Sequence, residues 1–305
     1  MKELKLIKTL WGIDEPISPS HFQSIKQEGY SGIEVIRLAW TLDQEALLTS
    51  LRTADLILVC QVHTTGGYLA KDTGDYVYCG AYDVSLHQQD FARQIKECVA
   101  LLENVPRGGG INVHAGVDAW SIEEAQEFLE FCQEEIKRVV PSTVQVTFET
   151  HRQRLFGNPF QTRSLLNIPS LSTLRLNADL SHWYCACERV FDATHEKRDA
   201  IWWPALLQQL VDRCDYLHAR FGWAQGPQMA DPSAKESDGE RALQVAVWKQ
   251  LMQGQMERNR TILVCPEYGP APYMPVHPHS ETFVASLPHA VSFTKGILEE
   301  IFETF

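Results

Sequence analysis

One short apolar run after another in this sequence ends on a residue that can bind a metal ion or move a proton. Glu34 lies in GIEVI, His63 closes LILVCQVH and His114 closes GINVH. VTFETHR carries Glu149 and His151, LNADLSHW carries Asp179 and His182, YLHAR carries His218 and Arg220, and LVCPEYG carries Glu267. Carboxylates are seldom buried unless they are paired or bound to a cation. Gathered at one point, Glu149, Asp179 and Glu267 would repel one another, so their convergence with His218 calls for a divalent ion. Three carboxylates and one imidazole suit a cation of intermediate hardness, Mn2+ first, with Mg2+, Co2+, Fe2+ or Zn2+ as alternatives. None of the four is a cysteine, which argues against a structural zinc site. The chemistry open to such a centre is metal-assisted proton transfer.

Only the fold can bring residues so far apart in sequence together. Apolar, β-branched runs over 4–11, 32–36, 56–63, 110–114, 144–149, 174–179, 216–220 and 261–267 alternate with helical patterns, as parallel βαβ construction requires. PSHFQSIKQEGYSG predicts a helix stopped at Gly29. Ser85 with Gln88, and Ser121 with Glu124, have capping-box spacing and open two more. Further helices are expected over 161–167, 196–213, 240–258 and 290–303. Eight strand-helix units in about 300 residues is the count of a single (β/α)8 TIM barrel, not of an open doubly wound sheet. No Pro/Gly/Ser-rich linker divides the chain, so 1–305 reads as one domain. In a closed barrel the strand ends share one mouth, and Glu149, Asp179, His218 and Glu267 would surround a single point there. Two long connections, 64–84 with Tyr68, Tyr76, Tyr78 and Tyr82, and 221–239 with Trp223, would overhang the same mouth. They are lids or substrate walls, or the tyrosines simply pack the first one down.

The order Glu149, Asp179-x-x-His182, His218-x-Arg220 and Glu267 resembles the xylose isomerase-like TIM-barrel superfamily. More narrowly it is similar to the sugar isomerase and epimerase branch that includes ketose 3-epimerases and inosose dehydratases. Trp11-Gly12, Gly32-Ile33-Glu34 and His114-Ala115-Gly116 also fit, so the resemblance spans nearly the whole chain. It implies that Glu149, Asp179, His218 and Glu267 are metal ligands, that Glu149 and Glu267 are also the paired base and acid, and that His182 and Arg220 contact substrate oxygens. His114 and His63 would orient hydroxyls, or else donate to backbone as neutral rings. His151 and Glu34 are further substrate contacts, with Arg37 an alternative partner for Glu34. The implied activity is isomerisation or epimerisation of a small sugar or polyhydroxylated carbonyl compound through an enediolate. Expulsion of a β-hydroxyl would make the same site a dehydratase of an inosose-like or shikimate-like ring, and a noncatalytic ligand-binding barrel is a further alternative. One departure bears on the substrate: in the epimerases the arginine lies further beyond the strand-seven histidine than the two-residue step seen here.

The remaining composition mostly excludes. With 27 Lys+Arg against 39 Asp+Glu the formal charge is −12, and no basic stripe offers a nucleic-acid or anionic-membrane surface. Arg152 and Arg154 form a short basic turn, solvated or holding a substrate phosphate or carboxylate. Trp11, Trp183 and Trp223 are core residues or stacking surfaces for a sugar ring. Eight scattered cysteines and an opening MKELKLIKTLWG without an apolar signal core predict a cytoplasmic protein with reduced thiols. The expected partner is a small molecule, with homo-oligomerisation left open.

Overall fold

All eight apolar runs form strands in the computed structural model, which describes residues 3–13, 18–36, 44–65 and 82–305 and the backbone of 68–69 and 76–77. They are β1 (Leu4–Thr9), β2 (Gly32–Ile36), β3 (Ile57–His63), β4 (Gly109–His114), β5 (Gln145–Glu149), β6 (Leu176–Ala178), β7 (Cys214–His218) and β8 (Ile262–Cys265). They close a barrel in the order β1-β8-β7-β6-β5-β4-β3-β2, so strands consecutive in sequence are neighbours in space. This is the expected (β/α)8 barrel. The chain's contacts fall into two compact units, Met1–Gly12 with Leu176–Phe305, and Ile13–Arg175.

Side-chain alternation within each strand explains how one run can feed both a core and a site. In β4, Ile111 and Val113 are wholly buried apolar residues, while Asn112 and His114 occupy the alternate positions. In β5, Phe148 alternates with Thr147 and Glu149; in β7, Leu217 alternates with Tyr216 and His218. In a closed barrel one of these sets faces the helices and the other lines the interior. The parallel register carries the pattern across strands: His63 lies opposite His114 in the second unit, and Cys265 opposite His218 in the first.

The helical shell follows the sequence with a few instructive differences. Pro19–Gln27, Ile122–Val139, Pro159–Leu166, Asp238–Glu257 and Leu287–Glu303 are helices, and Ser121 with Glu124 makes both bonds of the capping box. The helix Val84–Leu102 is instead capped by Asp83, whose carboxylate accepts from the amides of Ser85 and Leu86. Ser85 is already inside the helix, and its hydroxyl donates to Asp83. The single helix expected over 196–213 is two, Lys197–Ala200 and Trp203–Arg213. Pro204 is the cause: it has no N–H and its ring collides with the carbonyl four residues back, so it starts a new helix instead of continuing one. Two helices were not anticipated, Gln44–Ala54 and the short Ser181–Ala186. Backbone at 68–69 and 76–77 pairs as a small antiparallel ribbon. The side chains of Tyr68 and Tyr76, together with Tyr78, Cys79 and Arg37, lie outside the described residues. Among the described residues no helix is long and apolar enough to cross a membrane.

The capping difference has a direct test. Asp83→Ala should lower the denaturant midpoint, and Ser85→Ala should lower it by less than about half as much, because the helix-end amides bond to Asp83. Equal or reversed effects would restore Ser85 as the cap.

Candidate active site

The ten residues proposed from the sequence as ligands, acid and base or substrate contacts lie at or just beyond the C-terminal end of a strand, apart from Glu34 within β2 and His182 in the helix that follows β6. The first unit gathers Asp179, His182, His218, Arg220 and Glu267. The second gathers Glu34, His63, His114, Glu149 and His151.

In the first unit the organising group is the guanidinium of Arg220, which is 2% exposed. Ala219 N donates to Cys265 O at 2.8 Å, so the strand geometry of β7 continues past His218 and sets Arg220 on the same face as the imidazole. The two-residue step that departs from the epimerase pattern therefore directs the arginine into the cluster. Its Nη2 donates to Asp179 Oδ2, its Nη1 lies 3.0 Å from Glu267 Oε2, and its Nε donates to Ser181 Oγ at 3.1 Å. Nη2 also lies 2.8 Å from His182 Nε2. Arginine only donates, so His182 Nε2 accepts and the ring is neutral with its proton on Nδ1. The 3.5 Å approach of the same Nε2 to Asp179 is then not an ion pair. Ser181 binds the other oxygen of Asp179 through its amide, 3.2 Å, and its hydroxyl. His218 Nδ1 is 3.4 Å from Glu267 Oε2. Tyr273 lies under the guanidinium, 5.1 Å from Cζ to the ring centroid, and stacks edge-on with Trp11 at 4.7 Å.

In the second unit Glu149, 1% exposed, is approached by an amide and an imidazole. Asn112 Nδ2 approaches its Oε2 at 2.5 Å and also reaches Glu34 Oε1 at 3.2 Å, bridging two buried carboxylates with one amide. His114 Nε2 lies 2.9 Å from the same Oε2. The His63 and His114 rings stack at 4.1 Å, as their opposed register demands, and His151 tilts against His114 at 4.8 Å. The chain turns directly after β5, with His151 N donating to Glu149 O at 3.0 Å and the ring Nδ1 2.6 Å from Arg152 O. Burial, then the neighbouring His114, lowers the pKa of His151 to about 3; the same causes in the same order push His63 well below its usual value. The basic turn does not lie open to solvent at Arg154, which is buried and donates through Nη1 to the carbonyls of Thr64 and Gly116. Gln94 clamps the end of β3 by accepting from His63 N at 3.3 Å and donating to His63 O at 2.8 Å.

Some of the site was not foreseen: Asn112 bonds to Glu149 and Glu34, Ser181 to Asp179, and Tyr273 lies under Arg220. Asn112 and Ser181 had a visible signal, since each sits two residues from a foreseen one on the same strand or turn. Conversely, Trp183 and Tyr268 are packed in the interior, and Trp223 is 43% exposed.

No family model and no curated protein matches the sequence. Solved structures do share its fold. A D-tagatose 3-epimerase-like protein superposes with a TM-score of 0.59 at 10% identity, covering 99% of this chain and 98% of that one. The 3-keto-D-glucoside 4-epimerase of E. coli gives 0.57 at 12%, covering 98% and 99%. A probable 3-DHS dehydratase from Bacillus anthracis gives 0.53 at 13%, covering 97% and 99%. The likeness is one of fold: each of these barrels is matched over nearly its whole length.

Two outcomes follow from the geometry. A Cβ on Gly222 would lie 2.7 Å from Ser181 Cα while Gln244 grips the glycine amide and carbonyl. Gly222→Ala should therefore displace Ser181 from Asp179 and destabilise the chain by about 1–3 kcal/mol, read by denaturant unfolding; an unchanged midpoint would contradict the packing. The second concerns acid. Folding lowers the proton affinity of His63 and His151 from the ordinary 6.5, so the folded chain binds fewer protons than the unfolded one as pH falls. Their contribution is complete above about pH 6.5 and is lost progressively toward about pH 3. In chelator-treated protein, Tm should fall between about pH 7 and pH 5, and less steeply in His151→Gln; parallel pH profiles would refute this.

Proposed function

We propose that this chain is a divalent-metal-dependent isomerase or epimerase of a small sugar or polyhydroxylated carbonyl compound, acting as one domain through an enediolate. The observation that carries the reading is the buried cluster of Asp179, His218 and Glu267 around Arg220, at the ends of three consecutive barrel strands. Glu149 ends the next strand in the barrel order. Three carboxylates and an imidazole are a donor set that fits a cation of the Mn2+ type, and Glu149, Asp179, His218 and Glu267 would hold it. When bound, such an ion supplies positive charge to the carbonyl oxygen, which acidifies the neighbouring C–H.

The chain's own residues do the rest. Glu149 takes the proton from carbon, and Glu267 passes one drawn from solvent to the opposite face or to the adjacent carbon. Arg220 brings fixed donors to an oxygen that gains negative charge, and His182, with its proton on Nδ1, contacts a second substrate oxygen. His114, His63, His151 and Glu34 line the second unit's cluster and orient hydroxyls. The seven described cysteines are all free, which supports a reducing, cytoplasmic setting. The formal charge of −12 supports a small-molecule partner over nucleic acid.

Chelator-treated protein reloaded with Mn2+ and offered ketoses and inososes in D2O tests the proposal by NMR. Deuterium at carbon next to the carbonyl, without loss of water, is the expected result. Ring dehydration marks the lyase instead, and a bound ligand without exchange or turnover marks a binding barrel. Glu149→Gln and Glu267→Gln should each lower exchange by about 100-fold or more. Full exchange in either variant would remove that glutamate from the proton path.

A further inference from the structure

The cluster in the second unit is richer in nitrogen donors than orientation of substrate hydroxyls requires. His114, Glu149 and His151 each present one ligating atom, and the three atoms lie within 4.8 Å of one another. Glu149 is buried, His114 is buried and His151 is half-buried. The orientation of His151 carries the argument further. Its Nδ1 is 2.6 Å from the backbone carbonyl of Arg152, an acceptor only, so the ring donates there and holds its lone pair on Nε2. An outer hydrogen bond from imidazole to a carbonyl is the arrangement that fixes a metal-binding histidine in its tautomer and orientation. The carboxylate is likewise supported from outside, by the Asn112 amide, and the His114 ring is kept in place by stacking on His63.

We infer that His114, Glu149 and His151 form a second divalent-cation site, distinct in chemistry from the carboxylate-rich set proposed above. Two imidazoles and one carboxylate favour a borderline-soft ion such as Zn2+, Co2+ or Fe2+, whereas three carboxylates and one imidazole favour Mn2+. His114 Nε2 lies 2.9 Å from Glu149 Oε2, so two of the ligating groups already face one another. Two buried carboxylates, Glu149 and Glu34, are joined through Asn112, against the one nearby guanidinium of Arg154, which bonds to the carbonyls of Thr64 and Gly116. The inference rests on the proposed function only through Glu149, which serves both centres.

Chelator-treated protein dialysed against excess Co2+, then freed of unbound metal, should carry about two ions per chain by elemental analysis. His151→Gln and His114→Gln should each fall to about one, with loss of part of the visible Co2+ absorption. His218→Gln should also fall to about one, through the other centre. A wild-type value that His151→Gln and His114→Gln leave unchanged overturns the second site while leaving the first intact. Retention of about two ions in His218→Gln strikes the first centre and not this one. Should a variant fail to fold, wild-type protein still decides: excess diamagnetic Zn2+ should move the ligating ring-nitrogen resonances of both His114 and His151 to those of metal-bound imidazole, and ring nitrogens left unshifted overturn the inference.

Discussion

An ionised carboxylate in a protein interior must be answered by charge or by donors, because burial removes the water that would otherwise solvate it. Glu34, Glu149 and Asp179 are each 1% exposed or less and Glu267 is 6% exposed, so this demand falls on four groups near the strand ends. The two units meet it differently. In one, a single guanidinium is shared between Asp179 and Glu267, with Ser181 completing the shell of Asp179. In the other, the Asn112 amide donates to Glu149 and Glu34, and the His114 imidazole lies 2.9 Å from Glu149.

The alternation of the strands makes these solutions available. Residues two apart share a face, so Asn112 precedes His114 into the same cluster and Arg220 follows His218 into its own. Had the arginine come one residue earlier it would have faced the helices, and had it come several later it would have belonged to a loop. The helices fix what the strands present. Gln94 grips the last residue of β3 from the helix Val84–Leu102, and Gln244 grips Gly222 from Asp238–Glu257. Side chains on rigid elements thereby hold the start of each loop above the strand ends.

The barrel was legible because its evidence is periodic: apolar runs of strand length, each followed by a helical pattern, survive small errors at every boundary. The polar strand ends were legible for the same reason, since Glu149 or Asp179 interrupts an otherwise continuous apolar run. Four things were not. The break before Trp203 depended on one proline within a helical pattern, and the cap of Val84–Leu102 on which of two polar residues, Asp83 or Ser85, the chain had reached before turning helical. The destination of Arg154 was hidden because a basic turn reads as solvated until the carbonyls of Thr64 and Gly116, far off in sequence, are seen to need donors. The pairing of Arg220 with both Asp179 and Glu267 required knowing that strand geometry persists beyond His218, which no local pattern announces.

That pairing also changes what the proposed cation site means. Arg220 and a divalent ion would answer the same need, so their effects on Asp179 and Glu267 are not additive. A guanidinium is always charged and spreads its charge over a plane of donors, whereas an ion concentrates charge at a point. An ion drawn to the two carboxylates meets the like charge of Arg220 at close range, and in a weakly screened interior that repulsion offsets part of the attraction. Cation affinity at this centre is therefore a difference between opposing terms, and Arg220 sets its size. Any donor that Arg220 withdraws from Asp179 or Glu267 remains on the same strand face, available to an oxygen acquiring negative charge. On the proposed reading, the short step from His218 to Arg220 thus couples ion binding to stabilisation of the enediolate, a coupling that an arginine placed further along the loop would not provide.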